Sequence, residues 1–330
     1  MPGLAAELPS LGSTRLGPPG APDPSSTGVG HMRISHVVRS LLLPFAVLLA
    51  AAPAVFPAAP AGKVLRFRPK EGDTAVYQHS LSTRAEMKEQ AGEKERMEMA
   101  AQAKCTVEFL GETASGDFGV QAAIEPHTVD TKVDGEEGTE ESPGSAARYV
   151  VNRQGRIKKV SWLTGDPTDD PESAALVITP DDVFLLGGAA ILPDKAVKKG
   201  DKWSGTVTVP GAVMDEDLVV KYQSVLLGEE QFKGAVCQKI KTTATSSFSA
   251  REEMPELGGT IKASAKASGQ YTWLFDAERG LIASAQGAER LSLTVQVGDA
   301  DQTLVSVTLS AVINSRSVLT EYNGVAVGAK

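Results

Sequence analysis

The stretch IKASAKASGQYTWLFD, residues 261–276, decides the fold class because its side chains alternate strictly between two sets. The apolar or small set contains Ile261, Ala263, Ala265, Ala267, Tyr271, Trp273 and Phe275. The intervening positions carry mainly lysine, serine, glutamine and threonine. A period of two over this length predicts a long strand that is buried on one face and solvated on the other.

Neighbouring stretches repeat this alternation, with LSLTVQV at 291–297 and LVSVTLSAVI at 304–313. Short turn signals rich in glycine, aspartate and asparagine separate the runs. We therefore predict an all-β, mainly antiparallel protein. Its long curved strands form either a half-barrel or two packed β units.

Two segments could be helical. Residues 84–104 favour a helix by composition, but Met97, Met99 and Cys105 share one parity, so we predict a hairpin there. At 179–182, Thr179 can cap a helix and Pro180 suits its first position. We predict one short helix near 180–190.

The chain also shows a possible internal duplication, since KEGD at 70–73 and KKGD at 198–201 each precede a strand. We predict a first β unit at 62–163, a loop and helix linker at 164–197, a second β unit at 198–322 and a tail at 323–330. The alternative is that any antiparallel chain repeats such turns at intervals.

Residues 32–61 have the pattern of a secretory signal peptide, with a basic start, an apolar run at 41–52 and the small-residue site Ala59-Pro60-Ala61. A membrane anchor is the alternative, although four prolines interrupt the segment. Residues 1–31 are rich in proline, glycine and serine and should not fold. Either translation starts at Met32 or a disordered leader is made and tolerated.

We therefore expect a bacterial protein that is periplasmic or secreted and soluble after cleavage near Ala61. The first cysteine is Cys105, so no lipid-anchored cysteine follows the cleavage site. A formal net charge of −8 argues against nucleic acid as a partner. A disulfide between Cys105 and Cys237 is possible in this compartment, but the two cysteines fall on opposite parities of their strands.

Residues with obvious chemistry are scarce, and we predict neither catalysis nor a cofactor nor a metal. His79 and His127 lack ligand-spaced partners, and no nucleophile-elbow, zinc or phosphate-loop motif occurs. The acidic loop around Asp166, Asp169 and Asp170 lacks the spacing of a calcium loop.

The candidate ligand-lining residues are large aromatics and small inward residues. Tryptophans either plug a core or line a pocket, and alanines leave room for a packed element or an apolar ligand. The candidates are Trp162, Trp203, Ala263, Ala265, Ala267, Trp273 and Ala283.

Three stretches, LPDKAVKKGDKW at 192–203, GAVCQKIKTT at 234–243 and WLFDAERGLIASA at 273–285, resemble a group of uncharacterised exported bacterial β-sheet proteins. More loosely, the pattern is similar to the half-barrel lipoprotein carriers and lipid-binding lipoproteins of the bacterial envelope. That resemblance implies a curved antiparallel sheet, with helices over its concave face, that holds acyl chains. It transfers no ligand-contacting residue to this chain.

Two functions remain open. In the first, the protein is an exported, non-catalytic envelope protein that binds a lipid or another apolar molecule in the curved sheet. In the second, it is a structural or protein-interaction module of the periplasm or cell surface without a small-molecule ligand.

Overall fold

The computed structural model describes residues 62–90, 92, 94–165, 178–185, 190–213, 216–254, 259–298 and 303–328, without the side chains of 181, 208–218, 252, 254 and 304. The predicted leader, the signal peptide and the acidic loop at 166–172 lie outside these residues. Part of the predicted linker does so as well.

Within the described residues the chain forms fourteen strands and one short helix. In chain order they are β1 (Thr74–Glu89), β2 (Lys94–Glu112), β3 (Phe118–Ile124), β4 (His127–Val133), β5 (Glu136–Ser142), β6 (Ser145–Val151), β7 (Ile157–Thr164), α1 (Pro180–Phe184), β8 (Lys202–Val213), β9 (Glu216–Phe232), β10 (Ala235–Met254), β11 (Gly259–Asp276), β12 (Leu281–Gly298), β13 (Thr303–Tyr322) and β14 (Val325–Ala326).

All of these strands belong to a single antiparallel sheet. Its main order is β7-β6-β3-β2-β1-β13-β12-β11-β10-β9-β8, while β4 and β5 extend from β2, and β14 pairs with β13. The two ends of this order, β7 and β8, do not pair with each other, so the sheet is open. The predicted all-β antiparallel class is confirmed, and the open sheet is consistent with a half-barrel.

Both ambiguous segments adopt the predicted structure. Residues 84–104 contribute to the hairpin of β1 and β2, in which Ala85 lies opposite Met97 and Tyr77 opposite Cys105. The helix near 180–190 is present as α1. The Asp182 carboxylate accepts a hydrogen bond from the Thr179 backbone N–H at 3.0 Å, which satisfies a donor at the helix start.

The two predicted β units contribute to the same sheet, because β1 pairs with β13 along nearly its whole length. Their KxGD turns share one hydrogen-bonding pattern. The Lys70 N–H donates to Asp73 at 2.7 Å, and the Lys198 N–H donates to Asp201 at 2.9 Å. The division into two units remains a prediction.

Period-two alternation gives the sheet two different faces. We call the face that carries Trp273 the inner face and the face that carries Lys241 the outer face. One row of directly opposed inner-face residues runs across the strands from His79 through Ser317, Ala285 and Trp273 to Ile240. Along β11, inner-face positions are mostly buried and outer-face positions mostly exposed, which is why the sequence alternates.

Two covering segments, residues 62–69 and the described part of 178–197, lie against one part of the inner face. They pair with each other through an isolated bridge between Lys63 and Val197. The Phe67 N–H donates to the Arg153 carbonyl at 2.9 Å, and the Arg68 N–H donates to the Gly280 carbonyl at 3.3 Å. These bonds tie the first segment to the β6–β7 and β11–β12 turns.

Candidate functional site

Most buried apolar side chains of the inner face divide between two large clusters, which we call the main core and the alanine-rich cluster. The main core contains residues of both covering segments together with strand residues such as Tyr77, Phe109 and Trp273. The alanine-rich cluster consists only of strand residues: Ala85, Phe248, Ala250, Ile261, Ala263, Ala265, Leu291, Leu293, Val295, Val307, Leu309 and Ala311.

The main core is filled by the chain's own side chains. The Phe67 ring meets the Phe275 ring edge to face at 5.6 Å, and the Phe184 ring of α1 meets Tyr149 in the same way at 5.6 Å. A void beside Phe67, Tyr77 and Phe184 holds only about 10 Å³. A single water needs about 10–15 Å³, so this void has no room for an acyl chain.

The alanine-rich cluster differs because five of its twelve residues are alanines, among them Ala263 and Ala265 of β11. Ala263 and Ala265 are almost fully buried, opposite Val295 and Leu293 of β12. Ala265 also lies opposite Phe248 of β10. No residue of the described parts of the covering segments belongs to this cluster. This part of the inner face is therefore lined by strand side chains alone within the described structure.

A polar pair joins Tyr271 of the main core to Glu289, which precedes Leu291 of the alanine-rich cluster on the same face of β12. The Tyr271 hydroxyl donates a hydrogen bond to the Glu289 carboxylate. A Cβ added at Gly287 would come within 2.4 Å of the Tyr271 ring, and one at Gly269 within 2.9 Å. The two glycines therefore leave a slot in which the ring lies close to the sheet.

Glu289 is the unusual member of this pair. Although the residue as a whole is half-buried, its carboxyl is densely surrounded by protein atoms, and this burial raises the pKa of Glu289 to about 7. Its opposed inner-face neighbours are Ile313 and Gly269, neither of which is charged. The carboxyl is therefore a buried ionisable group at the edge of the alanine-rich cluster.

Sequence reasoning missed Glu289, although the sequence carries a signal for it. Glu289 has the same parity as Leu291, Leu293 and Val295, so alternation alone places it on the apolar face. A charged residue on that parity indicates either a local change of register or a special environment. The pairing of β11 with β12 is regular there, which leaves the special environment.

The structure separates the predicted lining residues into three groups, of which the tryptophans form the first and the alanines the other two. Trp273 lies in the main core, and Trp162 and Trp203 pack against it. The Trp273 indole N–H donates to Thr242 at 3.0 Å, and that of Trp203 donates to the Ile191 carbonyl at 2.8 Å. The three tryptophans therefore pack in or against the main core, and hydrogen bonds hold Trp273 and Trp203 in place.

The predicted alanines do not all share one site. Ala263 and Ala265 lie in the alanine-rich cluster, and Ala267 packs against it. Ala283 instead lies in a separate small cluster with Cys237 and Leu274. A register shift between β11 and β12 at Leu274 and Phe275 interrupts the regular alternation beside it.

Both cysteines are buried, but they lie in different clusters. Cys105 belongs to the main core, and Cys237 belongs to the small cluster with Leu274 on the outer face. The structure therefore holds them as two separate thiols rather than as a disulfide. Burial raises the pKa of the Cys237 thiol to about 11.

The one close pair of a histidine with a hydroxyl in the described chain is His79 and Ser317, whose Nδ1 and Oγ atoms are 2.7 Å apart. Each residue is only 1% exposed, which shields the pair from a substrate. Burial lowers the pKa of His79 to about 4, so the ring is neutral near pH 7. Among the described residues, no cluster of three or more His, Cys, Asp or Glu side chains could hold a metal ion.

A second concavity lies on the outer face and is polar. This outer groove has a volume of about 550 Å³ and crosses the strands from β1 to β10. Its side chains form two rows, and the floor between them is Leu81, Ser315 and Gly287. The first row is Ser80, Arg316, Gln286, Thr272 and Lys241, and the second is Ser82, Asn314, Ala288 and Gln270.

No protein-family model matches the chain, and no curated protein matches it. Among solved structures, lipovitellin in a study of its lipid–protein interactions is similar over 80% of this chain, at 12% identity and a TM-score of 0.41. The chain spans only 26% of that lipovitellin chain. The hypothetical lipoprotein YmcC from Escherichia coli K12 is similar over 70% of this chain and 82% of its own, at 13% identity and a TM-score of 0.25.

A third similar structure is DynF from the dynemicin biosynthesis pathway of Micromonospora chersina. It covers 82% of this chain and 93% of its own, at 11% identity and a TM-score of 0.21. The one helix in the described ranges lacks the length and apolar character that crossing a membrane requires.

Proposed function

We propose that this chain is an exported, non-catalytic protein of the bacterial cell envelope that binds a lipid or another apolar molecule on the inner face of its sheet. The binding surface would be the alanine-rich cluster, including Ala263 and Ala265, together with the adjacent Ala267. Export is inferred from the signal-peptide pattern at 32–61.

One observation carries this proposal. The covering segments contribute large side chains to the main core, whereas the alanine-rich cluster contains five alanines and consists only of strand residues. Apolar sites that take small molecules are concave and mainly hydrophobic, with few polar groups. The Glu289 and Tyr271 pair at the cluster's edge would supply such a polar group.

The test fills the proposed site and compares it with a neighbouring position. Ala265→Trp adds a large side chain to the inner face, and Ser264→Trp adds the same side chain to the exposed face of the same strand. The protein is first stripped of bound lipid and then titrated with the neutral apolar dye N-phenyl-1-naphthylamine.

We expect the wild type and Ser264→Trp to bind the dye with similar affinity, and Ala265→Trp to bind it at least about tenfold more weakly. Circular dichroism and urea unfolding check that both variants fold before the dye titrations are compared. Equal dye binding by all three proteins, or none by the wild type, would rule out this surface as the site.

A second function is favoured by the filled main core. Since the chain occupies that part of the inner face itself, the protein would then be a structural or interaction module that meets a partner through its outer face or its strand edges. Failure of the wild type to bind any apolar probe would favour this function.

A further inference from the structure

We propose that the outer groove binds the acidic edge strand β5 of a second copy of this chain. The groove is lined by two cations and the strand carries several carboxylates, so their charges are complementary. The inference is independent of the apolar site on the inner face, because the groove opens on the opposite face.

The groove is a cationic site on an acidic protein. The chain has 41 acidic and 33 basic residues, yet the groove is lined by Lys241 and Arg316 and by no carboxylate. Neither cation forms an ion pair with any described residue. The other lining groups are mainly hydroxyls and amides, which can both donate to and accept from a peptide backbone.

The two cations are held at a defined spacing. Lys241 lies opposite Thr272, Thr272 opposite Gln286, and Gln286 opposite Arg316, so three strand-to-strand steps separate the charged residues. At about 4.8 Å per step, the two positions are about 14 Å apart. A complementary ligand should carry two anionic groups at that separation.

Strand β5 matches this spacing. Its sequence is EEGTEES, and every residue from Glu136 to Glu141 is exposed. Glu136 and Glu140 lie on the same face of the strand, and four residues at about 3.4 Å each separate them by about 14 Å. Only Gly138 lies between them on that face, so no side chain of β5 stands between the two carboxylates that would meet the two cations of the groove.

The edge of β5 is also available. Within the described structure β5 pairs only with β4, which leaves its second edge open. The neighbouring carboxylate Glu137 is already paired with Lys132 at 2.9 Å, but no described residue forms an ion pair with Glu136 or Glu140. Because each copy presents both a groove and a strand, the contact joins different surfaces of the two copies.

Sedimentation equilibrium at low ionic strength tests the proposal on the whole protein. We expect the average mass to rise with protein concentration and the rise to shrink with added salt, since the contact rests on exposed charges. Lys241→Gln with Arg316→Gln should weaken self-association at least about tenfold, as should Glu136→Gln with Glu140→Gln.

Mixing these two double variants gives the sharpest readout. Each retains the surface that the other lacks, so the mixture should form a one-to-one complex although neither variant associates alone. The matched control is Lys262→Gln with Lys266→Gln, which removes two exposed cations of the same face outside the groove and should associate like the wild type.

Three results would overturn the proposal. They are a wild type that stays monomeric at every concentration, double variants that associate as well as the wild type, and a mixture that forms no complex. A synthetic EEGTEES peptide that binds the groove of a strictly monomeric protein would also contradict a second copy as the occupant.

Discussion

Replacing Glu289 by glutamine should stabilise the protein at alkaline pH and much less at acid pH. The inner-face carboxyl loses hydration when the sheet folds, and no charged residue lies directly opposite it in the neighbouring strands. Glutamine removes the charge but keeps a carbonyl oxygen that can accept the hydrogen bond from Tyr271. The comparison therefore isolates the cost of the buried charge.

The size of this effect follows from the shifted pKa. Burial raises the pKa of Glu289 from 4.5 to about 7, so the folded protein holds the proton more tightly than the unfolded chain. The protonated carboxyl therefore contributes its full stabilisation below pH 4.5 and loses it as the pH rises through about 7. At about 1.4 kcal/mol per pKa unit, the advantage of Glu289→Gln should grow by about 2–3 kcal/mol between about pH 5 and pH 8.

Urea unfolding at the two pH values measures the difference. The control is Glu108→Gln, which removes an exposed carboxyl from the outer face of β2. We expect the free energy of unfolding of Glu289→Gln relative to wild type to increase with pH, and that of the control to stay nearly constant. A Glu289→Gln difference that does not change between the two pH values would refute the argument.

Three further predictions concern stability. Gly155→Ala should lower the free energy of unfolding by about 1–3 kcal/mol in urea, since Gly155 has a φ of 88° and a Cβ would lie 2.4 Å from the Phe67 ring. Burial lowers the pKa of His79 to about 4, so wild-type stability should fall as the pH drops from 6.5 through about 4, and His79→Gln should reduce that fall in acid unfolding. Asp276→Ala should cost about 1–3 kcal/mol by thermal unfolding, because the buried carboxylate accepts two turn N–H groups at 3.0 Å.

The class of the fold was predictable because the alternation is long and uninterrupted. In residues 261–267 each inner alanine is followed by an exposed serine or lysine, and a shift of one residue would exchange these faces. The same rule identified the hairpin at 84–104 against its helical composition. Burial of one face outweighed intrinsic propensity there.

The order of the strands was not predictable from local pattern. The first long strand pairs with the last, and residues such as Ala75 and Tyr322, far apart in sequence, lie opposite each other. Alternation predicts which side of a strand is buried, but it does not predict which strand lies beside it. The same limit hid the outer groove, because its rows combine residues from five strands.

The candidate site could be predicted from the sequence only in part. Alternation predicts that Ala263, Ala265 and Ala267 share a face, and the structure groups them at the alanine-rich cluster. It could not separate them from Ala283, since a register shift at Leu274 is a property of two paired strands. Whether these alanines line a ligand remains a proposal.

Native mass spectrometry of the protein purified without detergent, combined with lipid extraction from the same sample, tests the proposed function most directly. Binding on the inner face predicts a stoichiometric lipid or other apolar molecule that co-purifies with the wild type and with Ser264→Trp but not with Ala265→Trp. A wild-type protein that carries only its own mass and yields no extractable ligand would contradict it.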